Sequence, residues 1–133
     1  MVYIDIIYGK MTNEDVSIYI TTHVTSDEQL RMLVTGLRHA DRWYPREKIT
    51  VIDDNSSYKV NWGDLKKIHK NMTIIHVPEK HKGSGEPLRL YYYLTDKSPT
   101  EWAICIHDSQ FINSRFSLPI GIPYQFLFTA KHI

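Results

Sequence analysis

Four polar segments of this chain carry the residue types that handle phosphate, ribose or a divalent ion. They are Thr21-Thr22-His23, Asp53-Asp54-Asn55-Ser56-Ser57, Lys80-His81-Lys82-Gly83-Ser84-Gly85 and His107-Asp108-Ser109-Gln110. In the second, a carboxylate accepts the N3–H of a uracil or the hydroxyls of a ribose; the same residues also make an ordinary turn, because Asp, Asn and Ser bond their own backbone. In the fourth, Asp108 offers an oxygen to magnesium or manganese, ions that often use one or two protein carboxylates and take their other ligands from phosphate and water. His107 stands beside it as a second candidate ligand, and as a partly buried polar residue otherwise. The third segment puts Lys82, Gly83, Ser84 and Gly85 before a helix, where small residues let backbone N–H groups approach a phosphate; its spacing is not that of a P-loop, and a surface loop has the same composition. The histidines are scattered, with no HExxH spacing.

These segments are placed by an alternation of strand-like and helix-like stretches. Val2 to Tyr8 reads as a short strand, 9–15 as a turn and Val16 to Thr22 as a strong strand. Thr25 with Glu28 three residues later has the form of a capping box, and Leu30, Leu33, Val34, Leu37 and Ala40 behind it recur at helical spacing. Lys48 to Ile52 is a second strong strand, Trp62, Leu65 and Ile68 mark a short helix, and Met72 to Val77 is a third strand stopped by Pro78. Pro87 opens a helix to about Leu94, since its missing N–H goes unused in a first turn. Trp102 to Ile106 is the fourth strong strand, and Tyr124 to Thr129 has the composition of a last one. Strands alternating with helices predict right-handed crossovers and a mostly parallel sheet in a Rossmann-like three-layer α/β domain. Nearly continuous apolar strands fit burial on both faces. In such a sheet the carboxyl ends of the strands open on one edge, where ligands bind. The four polar segments all come directly after strands, so they should converge there.

Composition narrows the class of partner. The 133 residues fit one domain, and 42% hydrophobic content supports a packed core. Sixteen basic against fifteen acidic residues give a net charge of +1, unlike a domain built to coat nucleic acid. The single cysteine, Cys105, lies in an apolar run and reads as a small buried hydrophobe. No apolar run reaches membrane-span length, and Met1 to Lys10 has no small-residue cleavage pattern. A soluble, intracellular (cytoplasmic) protein is the expectation.

The order of the segments resembles the nucleotide-sugar-binding half of GT-A-fold glycosyltransferases. The matching stretches are ITTHV (Ile20 to Val24), VIDDNSS (Val51 to Ser57), KGSGEPLR (Lys82 to Arg89) and ICIHDSQF (Ile104 to Phe111), within roughly Val16 to Asn113. The resemblance implies a GT-A nucleotide-diphospho-sugar transferase fold, a UDP-sugar donor, a Mn2+ or Mg2+ cofactor and transfer of a glycosyl group to an acceptor hydroxyl. It implies Thr21 and His23 in the base pocket, Asp54 on the uracil with Asp53 as support or alternate contact, Arg89 near the nucleotide or its phosphates, and Asp108 as the metal-side acid of a DxD-like motif.

Two departures qualify it. Counting from Asp108, Gln110 stands where the second acid of D-x-D would be; counting back, Ile106 or His107 does. The family's acceptor-binding half, which carries the catalytic base of inverting enzymes, lies beyond the metal motif, and about two dozen residues remain there in this chain. No catalytic base is nominated, and most of that half is expected to be lacking from this single domain or supplied by a partner. A non-catalytic nucleotide or nucleotide-sugar binding module is therefore an alternative. So are a receiver-like signalling domain using Asp53 and Asp54 for magnesium, and a purely structural interaction domain. An apolar edge near Pro119 to Phe128, if exposed, would point to a homo-oligomer.

Overall fold

A computed structural model describes residues 6–8, 16–78, 86–100, 102–115 and 124–125. The elements run β1 (Ile6–Tyr8), β2 (Val16–Thr22), α1 (Asp27–Trp43), β3 (Lys48–Asp53), α2 (Trp62–Lys66), β4 (Met72–His76), α3 (Glu86–Asp96), β5 (Trp102–His107) and β6 (Tyr124–Gln125). The sheet order is β4-β3-β2-β5-β1-β6. The central strands β4, β3, β2 and β5 are parallel, and β1 and β6 add antiparallel pairings beyond β5. This is the mostly parallel α/β sheet expected from the alternation of elements.

Side-chain alternation along the strands builds two cores. Ile18, Ile20, Ile49, Val51, Ile104 and Ile106 pack with Leu33, Leu37 and Ala40 of α1 and Leu65 of α2. Tyr19, Ile52, Ala103 and Cys105 pack on the opposite face with Tyr91, Leu90 and Leu94 of α3. The fold therefore has three layers. Leu33 and Leu37 are fully buried, a contribution of about 1.5–3 kcal/mol each.

Several boundaries differ from the sequence reading. The cap of α1 is Ser26, not Thr25: the Ser26 side chain accepts from the Gln29 backbone N–H, and Gln29 rather than Glu28 supplies the return bond, to Thr25. Thr25 still joins the cap from one position outside. The helix runs on to Trp43, because Trp43 packs against the core beside Tyr44. Asp53 and His107 end their strands as paired residues, one beyond the apolar run in each case. β4 ends at His76, one residue short of Val77, and α3 spans Glu86–Asp96 with Pro87 in its first turn. The turn at 9–15 lies outside the described residues, as do 126–129 and all of Pro119 to Phe128 except the Tyr124–Gln125 strand.

The chain order places the site. From β2 the chain moves outward on one side to β3 and β4, then returns to the other side of β2 as β5. The crevice between the carboxyl ends of β2 and β5 is thus a topological switch point, where open α/β sheets bind ligands.

Candidate functional site

A cleft of about 430 Å³ opens at that edge, lined by Thr21, Thr22, His23, Gln29, Ile52, Asp54, His107 and Asp108. The ladder extends past the strands and fixes its rim. Asp54 N–H donates to Thr22 O at 2.9 Å, and Asp108 N–H to Thr21 O at 3.1 Å. Consecutive residues of β2 then serve opposite faces of the sheet. Thr21 Oγ1 is 2.8 Å from His107 Nδ1, with the His107 ring stacked near Tyr91 of α3. Thr22 Oγ1 donates to Asp108 Oδ2 at 2.8 Å. Asp108 Oδ1 has no hydrogen-bond partner among the described residues, so this carboxylate is oriented on one oxygen and available on the other.

The two adjacent acids have separate environments. Asp53 is 6% exposed. Its Oδ1 accepts from the Ser56 backbone N–H at 3.1 Å and from Ser56 Oγ at 2.5 Å, and its Oδ2 accepts from His76 Nδ1 at 2.8 Å. It holds the turn and does not line the cleft. Asp54 does line it, with Asn55 Nδ2 donating to its Oδ1 at 3.2 Å. Asn55 adopts φ 53°, a left-handed conformation that Asn tolerates better than most residues. The turn is then tied to β2: Val24 N–H donates to Ser56 Oγ, and Tyr58 N–H to Val24 O. His23 donates from Nδ1 to Asp54 O at 2.5 Å, which holds the β2 and β3 ends together at the cleft wall.

Thr21, His23, Asp54, His107 and Asp108 therefore meet in one cleft, while Asp53 stands behind it. Magnesium held jointly by Asp53 and Asp54, as the receiver-like alternative requires, finds no support here, because Asp53 is turned to Ser56 and His76. Arg89 is exposed on the first turns of α3 and is not among the lining residues. Lys82, Gly83, Ser84 and Gly85 lie outside the described residues.

Gln110 explains the shape of the last motif. Its side-chain Oε1 accepts from the His107 backbone N–H at 2.6 Å, and its own N–H donates to His107 O. It is 6% exposed and closes the turn that presents Asp108. Ile106 is buried in the core. Neither register of D-x-D thus supplies a second carboxylate beside Asp108. No group of three His, Cys, Asp or Glu able to hold a metal ion occurs among the described residues. Asp108 alone fits a hard divalent ion only if phosphate and water complete the coordination.

Two lining residues, Gln29 and Ile52, were not singled out from sequence as site residues, and Gln29 reaches the cleft from the first turn of α1. A signal existed for Gln29: a helix entered from β2 starts at the carboxyl edge, so its first turn faces the ligand side.

No protein-family model matches this sequence, and no curated protein matches it by sequence. By structure, the chain is similar to residues 1–349 of S. aureus TarS, a glycosyltransferase. The TM-score is 0.56 at 14% identity, covering 74% of this chain and 28% of that one. The fold is GT-A-like. The chain spans little more than a quarter of the TarS fragment. Among the described residues, no helix is long and apolar enough to cross a membrane.

Proposed function

We propose that the cleft binds a UDP-sugar, with a divalent cation, Mn2+ or Mg2+, as the donor site for glycosyl transfer to an acceptor hydroxyl. One observation carries this reading. In a GT-A-like fold, the switch-point cleft sets Asp54 and His23 against Asp108, a base-side acceptor facing a carboxylate with one oxygen to spare. Asp54 accepts from the uracil, while Thr21 and His23 shape the base pocket. Asp108, oriented by Thr22, holds the cation together with the diphosphate. When bound, such an ion neutralises charge on the leaving diphosphate. Arg89 and the Lys82 to Gly85 segment are proposed to approach the phosphates.

A second reading is a module that binds the nucleotide-sugar without turning it over. It is favoured by the lone carboxylate at the end of β5, since Gln110 is committed to the turn. Turnover of a UDP-sugar by the chain, to any acceptor or to water, would exclude it.

Calorimetric titration of UDP with and without manganese tests both. Wild type should bind, more tightly with the metal. Asp54→Ala should lose about tenfold or more in either condition, as expected for a hydrogen bond to a charged group. Asp108→Ala should abolish the dependence on manganese. Absence of UDP binding at millimolar concentration, with or without metal, would remove the donor-site assignment.

A further inference from the structure

Gln29 is a cleft residue whose hydrogen-bonding direction is dictated by its neighbours. Its Oε1 lies 2.6 Å from the Thr25 backbone nitrogen and 2.6 Å from Thr25 Oγ1. A backbone N–H can only donate, so the atom facing it must be the carbonyl oxygen, and the carboxamide cannot be flipped without losing that bond. The Gln29 backbone N–H is itself held by the cap Ser26, which anchors the residue from the other end. The Nε2 amide is the part of the side chain left for a ligand, and it has no partner among the described residues. It is a pure donor. Asp54, which lines the same cleft, is a pure acceptor when ionised.

We propose that Gln29 determines base specificity by donating to the exocyclic carbonyl O4 of uracil, beside the N3–H that Asp54 accepts. This inference rests on the donor-site reading above. A donor and an acceptor lining one cleft can match the adjacent carbonyl and N–H of uracil. Cytosine offers the reverse at the same two positions, an amino group at C4 and an unprotonated N3. It would face donor with donor and acceptor with lone pair. Sites that hydrogen-bond a substrate group discriminate against analogues lacking it, because the protein group is then left unpaired. Thr25 acts as a positioning residue: it does not line the cleft but fixes which end of the amide does.

Substitution Gln29→Glu reverses the polarity of the free end while conserving the anchor. A carboxylate oxygen can still accept from Thr25, and an acid in the first turn of a helix is favourable, so the helix start is preserved; a thermal melt checks this directly. The experiment is titration of UDP and CDP into wild type, Gln29→Glu and Gln29→Ala. Wild type should prefer UDP to CDP by about tenfold or more, since cytosine mismatches both Gln29 and Asp54. Gln29→Glu should lose about tenfold or more in UDP affinity and bind CDP at least as well as UDP. Gln29→Ala should reduce the preference to the part that the Asp54–N3 contact supplies, without reversing it. A UDP-to-CDP ratio unchanged in Gln29→Glu would overturn the role of Gln29 while leaving the donor site standing. Failure of wild type to bind either nucleotide would overturn both, so the two failures are distinguishable.

Discussion

At Asp53, two carboxylate oxygens meet three donors: the Ser56 N–H, the Ser56 hydroxyl and the His76 imidazole. That cluster, built on the buried Asp53 carboxylate with a half-buried Ser56 and an exposed His76, shapes the turn from which Asp54 reaches the ligand side. Asp53→Ala is therefore expected to destabilise the protein by about 1–3 kcal/mol, because it removes the hydrogen bonds that this carboxylate accepts. Denaturant unfolding measures this, and an unchanged midpoint would show that the cluster is not holding the turn. Both acids were visible in the sequence as VIDDNSS, but not their division of labour. Strand alternation alone puts them on opposite faces; which of the two faces is covered depends on Ser56 and His76, and the latter comes from a strand 23 residues away. Gln110 is a similar case. A polar residue in the second-acid position reads as a degraded metal motif, yet its side chain is folded back onto the His107 amide.

At the level of elements, α1 is the part most closely coupled to the site. Its first turn brings Gln29 to the cleft, and further along Gly36 lies against the segment leaving β5. A Cβ at Gly36 would stand 3.2 Å from Phe111 Cδ1 and 3.7 Å from the Asp108 carbonyl oxygen. A larger side chain there must push the Phe111 ring, just past the Asp108 turn. Gly36→Val should cost about 1–3 kcal/mol, in the range of overpacked sites, and should also weaken manganese-dependent UDP binding by shifting Asp108. Thermal unfolding and calorimetry together test it; a stable variant with unaltered binding would mean that the turn moves independently of α1. The helix itself was legible from Leu30, Leu33, Val34 and Leu37, whereas its cap was misplaced by one residue. Thr25 and Ser26 are chemically equivalent candidates, and only the path of the chain into the helix decides which side chain meets the Gln29 N–H.

Across the whole molecule, β2, β3 and β5 were readable because strands buried along most of their length are nearly continuous apolar or β-branched runs, and β4, a half-buried edge strand, because Met72, Ile74 and Ile75 still mark it. Convergence of Thr21, His23, Asp54 and Asp108 came from parallel geometry alone, since parallel strands all deliver their C-terminal residues to one edge. Strand order was not readable: nothing local states that β5 returns beside β2 rather than beyond β4, or that β1 pairs with β5 antiparallel. That order makes the β2–β5 gap the switch point, and it is the reason Thr22 meets Asp108 across 86 residues. The central claim is therefore spatial, that a uridine nucleotide occupies this gap. Backbone amide NMR during titration with UDP and magnesium, a diamagnetic ion, tests it most directly. The account predicts that the largest shifts fall at Thr21 to His23, Gln29, Asp54 and His107 to Asp108, with the amino edge around Arg46 and Lys48 unmoved. Shifts confined to that opposite edge, or none at saturating UDP, would contradict it.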